Sequence, residues 1–224
     1  MKHKCMSISN GNWWEKSVEH GWIVQSKQAR ARLSAEKIID VARERFISKG
    51  YAKTSISEIA VTAGASVGSI YQRFPEKKSL LLVIISRSHY LHRLELDRLK
   101  TVHESSLTTE EVIFRFVLRT SENLRKSYRL RRAFIEVSRS DDVAWRSRQD
   151  QCEYMGERLI DFIVNRGELP ESSELRREGT YISKIILSSL DDLFEPNIPD
   201  SFSMNIVLML KDLIMAFIRN HRQT

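Results

Sequence analysis

Glycine and proline are scarce in this chain, with eight and four among 224 residues, and runs that alternate apolar with polar residues are few. That argues against a sheet protein and leaves helices joined by short turns. Cysteine is nearly absent. Cys5 and Cys152 form no CxxC pair and no metal-like cluster with His, so neither a disulfide framework nor a metal site is expected, and a reducing compartment suits the composition. Long apolar runs are missing too. LLLVII, Leu80 to Ile85, is among the longest, against the roughly 20 residues a membrane span needs. The N-terminal MKHKCMSISNGNWWEK lacks the apolar core of a signal peptide, so a cytoplasmic location without a membrane partner is expected. No nucleophile-base arrangement, Gly-rich phosphate loop or metal spacing is present, so neither an enzyme nor a bound cofactor is expected.

Charge is abundant and unevenly placed. Residues 27–100 carry 15 Lys+Arg against 7 Asp+Glu, residues 1–26 carry 3 against 2, and residues 101–224 carry 18 against 20. The basic surplus belongs to the N-terminal half, as in a protein that brings one part to phosphate. An uneven scatter of solvated Lys and Arg is the competing account.

Residues 1–26 mix Trp with Gly, Asn and Ser without a sustained period, and a loosely ordered extension is predicted, although Trp13, Trp14 and Trp22 would seek something to pack on. Ser34 is predicted to cap the first firm helix, SAEKIIDVARERFISKG, in which Ile38, Ile39, Ala42 and Phe46 share a face and Gly50 supplies the stop. Ser55 to Glu58 reads as a capping box opening a short second helix, about Ile56 to Ala63.

The next segment, TSISEIAVTAGASVGSIYQRF, places Gly64 between two short amphipathic segments, the second opened by Ser66. This is the arrangement of a helix-turn-helix, with Gly taking the positive φ of the turn. Val67, Gly68, Ser69 and Gln72 occupy exposed positions where a helix built for solubility would carry Glu and Lys. Small and hydrogen-bonding groups let a helix approach base edges in a major groove, and the Tyr71 phenol suits a phosphate oxygen. Ile59, Ala60, Ala63, Ile70 and Phe74 supply the core side.

From Ala42 through Leu80 the pattern AxxxF…G(Y)xxTSIxEIAxxAGxSxGxIYxxFxxKxxL resembles the DNA-binding domain of the TetR (tetracycline-repressor-like) family of bacterial transcriptional regulators. The landmarks are Gly50, Thr54, Ile59, Ala60, Ala63, Gly64, Ser66, Gly68, Tyr71, Phe74, Lys77 and Leu80. Arg73, where the family more often has an aromatic or His, and Pro75-Glu76, where it has a small polar cap, depart from the pattern.

The resemblance implies an all-α protein. A three-helix helix-turn-helix domain at 33–92, with its motif at about 55–74, would follow an extension with a basic arm at 1–32. A long helix would join it to a helical effector-binding and dimerisation domain at 93–224. The resemblance makes Ser66 to Gln72 the recognition helix, with Val67, Gly68, Ser69 and Gln72 facing bases and Tyr71 on the backbone. Thr54, Ser55 and Lys77 would bind phosphate. Independently, an ammonium beside a helix N-terminus makes an anion site at Lys77. Lys27, Arg30 and Arg32 read either as an arm reaching the minor groove or as an ordinary solvated lead-in.

Beyond Lys100 the pattern stays helical. A capping box opens at Thr108, a helix ends at Asn165-Arg166-Gly167, and two more run near 174–194 and 201–219. Those last two carry more apolar residues than one face needs. Ile182, Ile186, Leu190, Ile214, Phe217 and Ile218 therefore read either as core or as the interface of a homodimer joined by a four-helix bundle, as in similar proteins. Phe116, Phe134, Trp145, Tyr154 and Met155 could line an effector cavity or be ordinary core. His89 with His92 as a metal pair, the basic run Arg125 to Arg132 as a site for an anionic effector or partner, and Cys152 as an oxidant sensor are weaker signals, against which stand a shared helix face, a solvated helix end and a buried inert thiol.

The expected function is a dimeric repressor that binds an inverted-repeat operator in double-stranded DNA and is released by a small-molecule effector of unknown identity. A helical adaptor without sequence-specific DNA binding is the alternative. Salt-dependent duplex binding would separate the two.

Overall fold

A computed structural model describes residues 13–25, 29–101, 106–193 and 200–222. Every regular element among them is a helix: α1 Trp13–Glu19, α2 Ala29–Ser48, α3 Ile56–Ala63, α4 Val67–Tyr71, α5 Lys77–Thr101, α6 Thr109–Lys126, α7 Tyr128–Ser138, α8 Asp142–Asn165, α9 Ser173–Leu193 and α10 Asp200–His221. They form two compact units, Met1–Leu91 and His92–Thr224, with the α5 chain running through the division.

In the first unit α2, α3 and α4 close on Ile38, Ile39, Phe46, Ile59, Ile70 and Phe74, all essentially without exposure. Leu80 to Ile85 on α5 are six consecutive buried residues, the all-round apolar pattern of a helix covered on every side. Gly64 has φ +66, and its N–H and that of Ala65 close onto Val61 and Ala60 carbonyls, which ends α3 without the Cβ clash another residue would bring.

Two expectations about the N-terminus are corrected. The segment 13–25 is ordered, with α1 folded and Trp13, Trp14, Trp22 and Ile23 buried. Residues 1–12, with Cys5, and 26–28, with Lys27, lie outside the described residues. The first long helix begins at Ala29 rather than at a Ser34 cap, so Arg30 and Arg32 are helical residues and the expected boundary at 32/33 falls inside α2. Arg32 pairs with Glu36, 3.2 Å away one turn on, a contact that helical backbone on both sides of Ser34 allows.

In the second unit α8 and α9 run side by side, with α6, α7 and α10 packed against them. The α8–α9 crossing is set by Gly156 and Gly179. A Cβ at Gly156 would stand 2.6 Å from the Thr180 nitrogen and 2.7 Å from the Gly179 carbonyl, so only hydrogen permits this approach of two backbones. The Thr108 box is complete, with its side chain accepting from Glu111 N–H and the Glu111 carboxylate accepting from Thr108 N–H. The basic run Arg125 to Arg132 spans a helix end: α6 stops before Ser127, whose hydroxyl donates to the Asn123 carbonyl at 2.9 Å, and α7 starts after it.

A candidate nucleic-acid interface

Helix α4 is only five residues long, and both its ends are held. At the start Ser66 Oγ accepts from Ser69 N–H at 3.1 Å, satisfying one orphan donor of the first turn. At the finish Arg73, one of the two departures from the family pattern, donates through its guanidinium to the Ser69 carbonyl at 2.8 Å and so covers a terminal carbonyl. Ile70 points inward. Val67, Gly68, Tyr71 and Gln72 are exposed, and their spacing gathers them on one face. Ser69 is half-buried and donates its hydroxyl to the Ser66 carbonyl at 2.9 Å, which leaves it only lone pairs to offer a ligand.

The flanking residues divide. Ser55 caps α3, accepting from Glu58 N–H at 3.1 Å, and stays exposed. Glu58 meets Lys49 at 2.7 Å, the contact that chiefly holds its carboxyl below the usual range, with the Ser55 backbone N–H adding in the same direction. Thr54 is buried, and its hydroxyl donates to the Gly50 carbonyl at 2.8 Å. That places it as a tie between the end of α2 and the turn, facing away from solvent. Lys77, in the first turn of α5, lies 4.4 Å from the Tyr51 ring centroid and 3.4 Å from the Ala52 carbonyl. Its partial burial lowers the ammonium pKa. Arg30 is exposed, whereas Arg32 packs over the Trp14 ring at 5.0 Å and is directed to α1 rather than forming an arm.

In the second unit Phe116, Phe134, Tyr154 and Met155 are buried, but Trp145 is 52% exposed and does not join them. Ile182, Ile186, Leu190, Ile214 and Ile218 are buried within the unit itself, and Phe217 is half-buried against His221 at 4.3 Å. These residues are core, not an open seam. The uncovered apolar face of α9 and α10 comprises Tyr181, Ile185, Met204, Leu208, Met209 and Leu213. Its signal was in the sequence as a second apolar stripe beside the first.

A polar cluster escaped the sequence reading. Gln151 on α8 accepts from Arg93 at 3.0 Å and lies 3.1 Å from His92 Nδ1 on α5. Burial brings the His92 pKa down to about 4, keeping the imidazole neutral. Arg93 and Arg158 lie 4.6 and 5.1 Å from the Tyr154 ring centroid. Asp191, almost fully buried, is clamped by Arg131 at 2.6 Å and Arg148 at 3.4 Å. Burial also raises the Cys152 pKa, the mark of an inert thiol rather than a sensor. Among the described residues no His/Cys/Asp/Glu group could hold a metal, and no helix is long and apolar enough to cross a membrane.

Residues 38–84, spanning the end-capped helix pair, match the family described as bacterial regulatory proteins, tetR family. The HTH-type transcriptional regulator QacR of Staphylococcus aureus is 34% identical over 86 residues, covering 34% of this chain and 46% of that protein. The HTH-type transcriptional regulator YerO of Bacillus subtilis is 26% identical over 188 residues, covering 71% of this chain and 64% of that one. The chain thus spans less than two thirds of the length of either relative. A TetR-family transcriptional regulator from Pectobacterium atrosepticum shares the fold with a TM-score of 0.66 at 18% identity, over 88% of this chain and 97% of its own. The helix-turn-helix, its landmark residues and the all-helical architecture agree with that match: residues 38–84 form a domain of the kind described as bacterial regulatory proteins, tetR family, in a chain that shares the fold of a solved TetR-family regulator.

Proposed function

We propose that the protein is a sequence-specific DNA-binding transcriptional regulator that acts as a homodimeric repressor and is released from its operator by a small molecule. The observation that carries this is the outer face of α4. Val67, Gly68, Tyr71 and Gln72 lie exposed together, without a Glu or Lys among them, on the basic half of the chain. A helix with such a face can approach base edges closely. Gln72 offers an amide to an adenine edge. Val67 and Gly68 offer methyl and backbone contact, Ser66 and Ser69 flank them, and Tyr71, Ser55 and Lys77 face phosphate. Thr54 supports the turn instead of touching DNA.

The homodimer would form through Tyr181, Ile185, Met204, Leu208, Met209 and Leu213, whose exposed faces supply the apolar surface that a second copy would bury. A two-fold dimer fits an inverted repeat and multiplies the modest reading energy of one short helix. An effector would bind among the middle helices near Phe116, Phe134, Tyr154 and Met155. To empty a mostly occupied operator, it must favour the DNA-incompatible state by about 5 kcal/mol. Repression would follow from occupying a promoter.

Fluorescence anisotropy with a random duplex across a salt series, followed by a competition screen of genomic fragments, tests the reading. Binding that weakens steeply with salt and prefers particular fragments is expected. Equal binding to all fragments, or none to any, contradicts it.

A further inference from the structure

We propose that the segment from Trp13 to Val24 is a positioning element for α4, docked by its indoles and fixing, through one backbone bond, the turn that ends the recognition helix. This rests on the regulator reading above and adds a part outside the matched residues 38–84.

A seven-residue helix has no stability of its own in water, so α1 must be held by tertiary contacts. Those contacts are specific. Trp13, Trp14 and Trp22 are each at most 9% exposed. The Arg87 guanidinium from α5 lies 5.5 Å from the Trp13 ring centroid and 2.6 Å from Asp40 on α2, so one side chain fastens three helices. Arg32 from α2 covers Trp14 at 5.0 Å. The Ser17 carbonyl then accepts from the N–H groups of Trp22 and Ile23 at 2.9 and 3.2 Å, turning the chain back along α1.

The turn delivers Val24 to the reading helix. Its N–H donates to the Arg73 carbonyl at 2.8 Å, one residue beyond Gln72. The Arg73 carbonyl follows a helix too short to satisfy its own terminal groups, and Arg73 itself is occupied with the Ser69 carbonyl. With five residues, the direction of α4 depends on its two ends. Ser66 sets the first, and the Val24–Arg73 bond with the Arg73 side chain sets the second. A tie at this point acts on where Gln72 and Tyr71 are aimed, not only on how firmly the unit folds.

The test uses the Val24 N–H alone. The Val24 side chain is 52% exposed, so Val24→Ala keeps the bond and removes little packing, while Val24→Pro removes the donor. Full-length wild type and both variants are titrated with operator and random duplex. Indole emission reports docking, because three of the four Trp lie in this segment. Val24→Ala is expected to match wild type. Val24→Pro is expected to lose about 3- to 10-fold in operator affinity, the effect of one hydrogen bond, with random-duplex affinity changed less than about 2-fold. Trp14→Ala should lower the same ratio, and Trp14→Phe should restore it. An operator-to-random ratio equal to wild type in Val24→Pro, whether or not the indole emission shifts, overturns the proposal. A wild type that discriminates no duplex overturns the regulator reading itself, and this inference with it.

Discussion

Gly68 is where folding and DNA reading oppose each other. It lies in α4 with a helical backbone, and a Cβ built on it meets no atom within 4 Å, so nothing in the folded unit requires glycine there. Ala is the better helix former by about 0.8–1.0 kcal/mol in a helix interior, and somewhat less in a first turn. Gly68→Ala should therefore stabilise the N-terminal unit by about 0.5 kcal/mol, raising its thermal midpoint by roughly 2–4 °C. The added methyl, however, projects from the face assigned to base edges. Keeping it out of contact would push α4 away from the groove, and operator affinity should fall by about tenfold, or ~1.4 kcal/mol. Calorimetry and fluorescence anisotropy on the same preparation read both. A variant that is more stable and still binds operator like wild type refutes the close approach of this face. A less stable variant refutes the open surroundings of Gly68.

Lys77→Ala should weaken binding to operator and random duplex alike and reduce the salt slope by about one, whereas Gln72→Ala should cost about 1–3 kcal/mol on operator only. Altered sequence preference in Lys77→Ala with none in Gln72→Ala would reverse the assignment. Met209→Asp, on the exposed stripe, should dissociate the dimer in sedimentation while leaving helicity intact. Ile214→Asp should instead unfold the second unit, because a carboxylate there is buried without a partner; equal behaviour of the two would contradict the division between stripe and core. His92 has a folded pKa of about 4, below its ordinary 6.5. Between those values the unfolded chain takes up a proton that the folded unit refuses, so stability should fall as pH drops through this window, by at most about 3 kcal/mol. His92→Gln should flatten that slope in urea titrations; an unchanged slope would remove His92 as its cause.

Local signals carried much of the reading. The Ser66 cap, the Gly64 turn and the Thr108 box are encoded within a few residues, and each is made by its own neighbours. What escaped was set by distant partners. Trp13 and Trp14 lack a periodic context, and Arg87 and Arg32 above them, from helices α5 and α2, help to dock α1. Thr54 reads as an open hydroxyl until the Gly50 carbonyl is seen to hold it. On α9, Ile182 and Ile185 are both apolar, and one is core while the other is exposed. That choice belongs to the angle at which α8 crosses at Gly156 and Gly179, which no single-helix pattern contains. His92, Gln151 and Arg93 are joined across helices by the same kind of long-range packing.

Footprinting of the protein on its own genome, combined with the stoichiometry of the bound complex, shows whether a two-fold dimer reads its operator. A small set of protected sites is expected, each an inverted repeat whose half-sites occupy successive major grooves on one DNA face and hold two subunits. Tandem direct repeats bound by single subunits, or protection without a shared sequence, would contradict it.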